Sequence, residues 1–194
     1  MSRWFGSVDM RGAPPAAVEV VVQVGRLLDQ TQPTLVQPAR SWIKVRGRGW
    51  PPPELGPPDW PPSAVPDWPD CDTGIRLGHA TDSEVDITIG VGRQHAVVGG
   101  MGGRITLSVT SDAGVQDVVG HVANALRAQY VWENHYRGQR LVRSEVACVG
   151  IHVDGTEGRH VHQSFRARRA WLHLPRSPRV ERRVVTFGLQ REYP

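Results

Sequence analysis

Residues 84 to 109 read EVDITIGVGRQHAVVGGMGGRITLSV, and no other stretch limits the fold as much. Val85, Ile87, Ile89 and Val91 alternate with Glu84, Asp86, Thr88 and Gly90, which is the period of a half-buried strand. Gly92–Gln94 turns the chain into a second strand over His95–Val98. The glycines of GGMGG at 99–103 turn it again, so that Ile105, Leu107 and Val109 form the inward side of a third. Strands joined by turns this short pair antiparallel, because a parallel pair needs a crossover of a dozen residues or more. A phosphate cradle at the glycines would need a strand running into a helix and a Lys-Ser/Thr pair, and neither occurs. Glu84 and Asp86 share the polar side and read as carboxylates meeting solvent rather than as an acid/base couple.

Two segments have helical character. Pro14 and Pro15 suit a helix start, and Ala16–Gln30 follows with Val18, Val21, Val22 and Leu28 on its expected apolar side. Ser111-Asp112 caps a second helix, in which Val115, Val118, Val119, Val122 and Leu126 repeat at helical spacing. Further strands are predicted at Ser41–Arg46, Val146–Val153, Arg159–Phe165, Ala170–Leu174 and Val184–Leu189. The fold class is therefore α+β, a largely antiparallel sheet with two helices and a long Pro/Trp-rich loop.

That loop, residues 48–72, reads as an insertion within a single domain spanning 1–194. Residues 48–70 hold nine of the 16 prolines and three of the seven tryptophans. Proline stiffens a chain toward polyproline II and lowers the entropy lost on ordering it. Trp50, Trp60 and Trp68 each carry apolar area that a free linker has no reason to expose. An ordered strap with tryptophan anchors is the expectation, and a partner-binding loop using Trp60 and Trp68 and a disordered insert are the alternatives.

At 39% hydrophobic and 22% charged residues the chain has the composition of a globular protein. It has no apolar run long enough for a membrane span and no secretory signal at its start, so a cytoplasmic location is expected. Cys71 and Cys148 give neither a disulfide framework nor paired zinc ligands. Charge is uneven along the chain. Residues 130–194 carry 12 basic and six acidic side chains, against 11 and 13 before them.

Three constellations bear on chemistry. In VACVGIHVDGTEGRHVHQSF, 146–165, a turn over Asp154–Gly158 would set His152 opposite His160, with His162 diagonal to them. Ala147, Val149, Ile151, Val153, Val161 and Phe165 would face the core, and Cys148 would point outward. Three imidazoles so placed are a candidate zinc site, against the plainer reading of a polar hairpin face. Arg166, Arg168, Arg176, Arg179 and Arg182, with Tyr130, Trp132, Tyr136 and Trp171 near them in sequence, form a candidate arginine–aromatic surface. Such a surface suits a protein partner, where arginine and tryptophan make anchors, or single-stranded nucleic acid. G-x-S-x-G, H-E-x-x-H and C-x-x-C are all absent, so no nucleophilic or metalloprotease signature supports an enzyme.

DITIGVGRQHAVVGG at 86–100, after the helix VEVVVQVGRLLDQ, resembles the helix and strand–turn–strand of small immunity proteins from bacterial polymorphic toxin systems. The resemblance implies an α+β, cytoplasmic, non-enzymatic protein that binds and blocks a cognate toxin, and it transfers no site residue. The expected function is binding of another macromolecule, a protein first, with no cofactor and no membrane. Nucleic-acid binding through the arginine-rich last third is the alternative, and a metal-dependent enzyme on the histidine hairpin is the next.

Overall fold

A computed structural model describes residues 3–5, 9–45, 71–82, 85–100, 103–151, 156–166 and 179–190, with the backbone alone at 103, 151, 160 and 162–166. The expected strap, with Trp50, Trp60 and Trp68, and the strand expected at Ala170–Leu174 lie outside the described residues.

The first helix, α1 (Pro15–Thr31), starts where the two prolines place it. It ends at Gln32, in the left-handed region at φ 44°, whose N–H bonds to the Leu28 carbonyl. Its buried side is Ala17, Val20, Val24, Leu27, Leu28 and Thr31, which shares only Leu28 with the expected one. Val18 and Val22 stay 38% and 40% exposed. The winning stripe keeps three- and four-residue spacing along the whole helix, using Ala17 and Thr31 as members.

Five strands follow in one antiparallel sheet, in spatial order identical to chain order: β1 (Trp42–Val45), β2 (Thr73–Leu77), β3 (Ile87–Val91), β4 (His95–Gly100) and β5 (Gly103–Ser108). The meander expected from 84–109 is β3–β4–β5, with Val85, Ile87, Ile89, Val91, Ala96 and Val98 fully buried. Trp42 pairs with Arg76 and Val45 with Thr73, so the chain re-enters the same sheet after residues 46–70.

Helix α2 (Asp112–Arg127) begins as expected: the Ser111 hydroxyl accepts from the Gly114 N–H at 3.3 Å. A side chain at Gly114 would collide with the Ser108 carbonyl, so only glycine lets β5 turn this tightly into α2. All five predicted stripe residues are buried. The helix packs against α1, β4 and β5, and also against the second sheet, which makes it the shared wall of the core.

That second sheet is antiparallel, in the order β8-β7-β6-β9: β6 (Gln129–Arg137), β7 (Arg140–Ile151), β8 (Glu157–Arg166) and β9 (Arg179–Val185). The β6–β7 hairpin turns at Gly138, with φ 60°. The final strand ends at Val185 rather than running to Leu189 as expected. Beyond it Phe187 enters the core and Gly188, at φ 62°, bends the chain. The segment is then held against the loop after α1, by Leu35 N–H to Phe187 C=O at 3.1 Å and Gln190 N–H to Thr31 C=O at 3.1 Å.

The 146–165 hairpin forms in a different register from the expected one. His160 lies opposite Cys148 and Glu157 opposite Ile151, and a bulge interrupts the pairing between Val146 and Ala147. His152 therefore cannot be the cross-strand partner of His160. The faces are corrected too: Cys148 is 1% exposed and packs in the core, and Val161 is 50% exposed.

Candidate functional site: the outer half of the second sheet

The inner half of β6, β7 and β9 joins the core through Tyr130, Cys148 and Val185. Tyr130, expected at the surface, is 1% exposed, and burial pushes its hydroxyl pKa up. The outer half runs past that core, and there the alternation turns polar.

On the core-side face, Trp132, Asn134 and Tyr136 of β6 stand opposite Arg183, Glu181 and Arg179 of β9. Direct opposition on one face puts neighbouring side chains within contact range. The Arg179 guanidinium lies 5.0 Å from the Tyr136 ring centre and Arg183 lies 5.5 Å from that of Trp132. Both distances fit a cation–π contact. Arg183 also reaches Asp82 at 2.6 Å, tying β9 to the β2–β3 connection. The Ser144 hydroxyl donates to Asn134 Oδ1 at 2.7 Å and holds the middle rung.

The opposite face carries an ion network. Glu145 of β7 binds Arg143 and Arg159, and Arg159 continues to Glu133 at 3.2 Å. Arg182 stands 3.7 Å from Glu133 on its other side. Arg159 and Arg143 together hold the Glu145 carboxyl below its ordinary range. A carboxyl with a depressed folded value adds stability above its unfolded value, near 4.5, and loses it as pH falls through the folded one. E145Q lacks that contribution. The melting temperatures of wild type and E145Q are therefore expected to converge from about pH 7 to about pH 3. A constant gap across that range would remove the network from the acid response.

A second polar cluster lies where the first sheet meets the C-terminal segment. Asp86, 7% exposed, accepts from Arg76 Nε at 2.6 Å and from the His79 backbone N–H at 2.6 Å. His79 Nε2 donates to the Thr186 carbonyl at 3.0 Å, and Nδ1 accepts from the Asp82 N–H at 3.1 Å. The His79 ring meets Phe187 edge-on at 5.3 Å. Both ring nitrogens are engaged, so the cluster is a fastening between segments and not a poised general base. The alternation in the sequence places Asp86 toward solvent, whereas the fold buries it against Arg76. An arginine ten residues away on an adjacent strand was the available signal, and it is visible only once the strands are paired.

Of the predicted partner-binding residues, Arg179 and Arg182 both lie on β9 with exposed side chains, Arg179 on the ladder face and Arg182 on the opposite one. Arg166 lies in β8, and Trp60, Trp68, Arg168, Arg176 and the aromatic neighbour Trp171 lie outside the described residues. Of the candidate metal ligands, His160 and His162 lie in β8, described by backbone only, and His152 lies outside. Among the described residues no helix is long and apolar enough to cross a membrane.

No protein-family model matches the chain, and no curated protein or solved structure is significantly similar to it.

Proposed function

We propose that this chain works by binding another macromolecule, a protein, on the outer half of β6 and β9. The observation that carries the reading is the pair of guanidinium–ring stacks, Arg179 on Tyr136 and Arg183 on Trp132, on half-exposed strands. Arginine, tyrosine and tryptophan dominate the energetics of protein interfaces. Stacking and the Arg183–Asp82 bond restrict these long side chains in advance, which lowers the ordering cost of association.

The same geometry disfavours the nucleic-acid alternative. A single-strand platform offers open ring faces to bases and uniform positive charge to phosphates. Here an arginine stacks on each ring, Glu181 stands between Arg179 and Arg183 on the same face, and Glu133 and Glu145 alternate with arginines on the opposite face. Such a mosaic of both signs matches a protein surface of complementary pattern. The sharpest form of the proposal is an immunity-type inhibitor of a toxin, supported by the resemblance of α1 and the β3–β4 turn to those proteins.

Charge reversal tests the surface. R179E/R182E is expected to leave the melting temperature nearly unchanged, because exposed ion pairs contribute about 0–1 kcal/mol each. It is expected to slow association with an acidic partner surface, most of all at low salt. Association as fast as wild type would exclude these residues from the interface.

A further inference from the structure

Strand β9 stands at the edge of its sheet among the described residues, and every residue from Arg179 to Val184 is exposed. A strand edge offers backbone N–H and C=O groups to another strand, and native proteins commonly blunt it with charge. This edge does so incompletely: Val180 and Val184 are each 50% exposed, on the face away from the arginine–aromatic ladder.

We propose that β9 pairs antiparallel with β9 of a second copy of this chain, across a two-fold axis through Arg182. Directly opposed residues share a face, so the axis must pass through a residue, and three registers keep the strand centred. An axis at Glu181 opposes Glu181 to its own copy and Val180 to Arg182. An axis at Arg183 opposes Arg183 to itself, Val184 to Arg182 and Glu181 to Val185. Only the axis at Arg182 sets Val180 against Val184 twice on one face and Glu181 against Arg183 twice on the other. Its unfavourable contacts are Arg179 against Val185 at the strand ends and Arg182 with its own copy, where Glu133 lies 3.7 Å from the guanidinium on each side. The product is one continuous eight-stranded sheet, β8-β7-β6-β9 followed by its two-fold copy. A two-fold axis normal to the sheet leaves both ladders on the same face, side by side. This pairing is independent of what the ladder binds.

One strand pair of seven residues buries less than the roughly 1,600 Å² of a standard interface. Association is therefore expected to be weak, micromolar or weaker, and concentration-dependent. Cysteine pairing reads the register directly, because opposed Cα atoms about 4.5–5.5 Å apart fall within disulfide range. The full chain with R182C is expected to oxidise to a covalent dimer linked 182 to 182, the linkage being mapped by mass spectrometry. V180C alone is expected to stay largely uncrosslinked, as is V184C, and a mixture of the two to form the 180–184 heterodimer. Sedimentation of the native chain should show a dimer fraction rising with concentration, and V180K/V184K should abolish it at an unchanged melting temperature. A chain that stays monomeric up to several hundred micromolar, or that crosslinks V180C to itself as readily as R182C, overturns the proposal.

Discussion

Asp86→Ala is expected to cost about 3–5 kcal/mol, because it leaves the Arg76 guanidinium charged and buried with its main counter-charge gone. Arg76 is 4% exposed, so water cannot take over the role of the carboxylate. The variant also strands the His79 backbone N–H, which donates to Asp86 at 2.6 Å. Burial pushes the Asp86 carboxyl up, against the opposing pull of the His79 N–H and Arg76, and burial also pulls the Arg76 guanidinium down. A carboxyl whose folded value is raised favours the fold only in its protonated form. At neutral pH its desolvation is therefore a cost that its partners offset only in part. Breaking the pair is thus far worse than removing it. The double variant R76M/D86L, apolar on both sides, is expected to recover most of the loss. Urea unfolding of the wild type, the single and the double variant measures all three. A D86A loss below about 1 kcal/mol would show that the cluster is not a fastening.

Phe187→Ala is expected to cost a comparable amount, about 3–5 kcal/mol, the range for a fully buried aromatic. Phe187 is 0% exposed and meets His79 at 5.3 Å and Tyr130 at 6.4 Å, both edge-on. It joins the first sheet's polar cluster to the second sheet's core, so its loss is felt on both sides. Hydrogen exchange should also localise the damage. The Leu35 and Gln190 amides, which bond across this segment, are expected to lose protection before those of β3. Unchanged melting, or loss spread evenly over the chain, would contradict this placement.

The parts of the fold that were legible in the sequence are those buried on one side along their whole length. Val85, Ile87, Ile89 and Val91 alternate cleanly because every one of them is fully buried in the core. The α2 stripe is equally plain, since both sheets pack on it. Helix α1 is legible but its buried side is not, because five valines within residues 18–24 satisfy several stripes. Strand β6 was missed altogether. Only its inner end, Tyr130 and Val131, is buried, and Glu133, Asn134 and His135 belong to the half that outruns the core.

The site suffered for the same reason. Arg179 and Arg182 were singled out from the run of arginines. The stacks on Tyr136 and Trp132 depend on β9 lying beside β6, a pairing between residues more than 40 positions apart. The histidine hairpin was found with the wrong register, since Asp154-Gly-Thr-Glu-Gly158 contains two glycines and permits more than one turn. Local sequence carries no record of the bulge at Val146/Ala147 that completes the pairing.

The most direct measurement of the proposed binding surface is photo-crosslinking in the native cell, with benzoylphenylalanine at Tyr136 and, as a remote control, at Gln116 on the exposed side of α2. Binding on the outer half of β6 and β9 predicts one dominant adduct at position 136. Its added mass should differ from that of a second copy, survive nuclease, be lost in R179E/R182E, and be absent at position 116. An adduct that nuclease destroys, or equal adducts at both positions, would contradict a protein-binding face there.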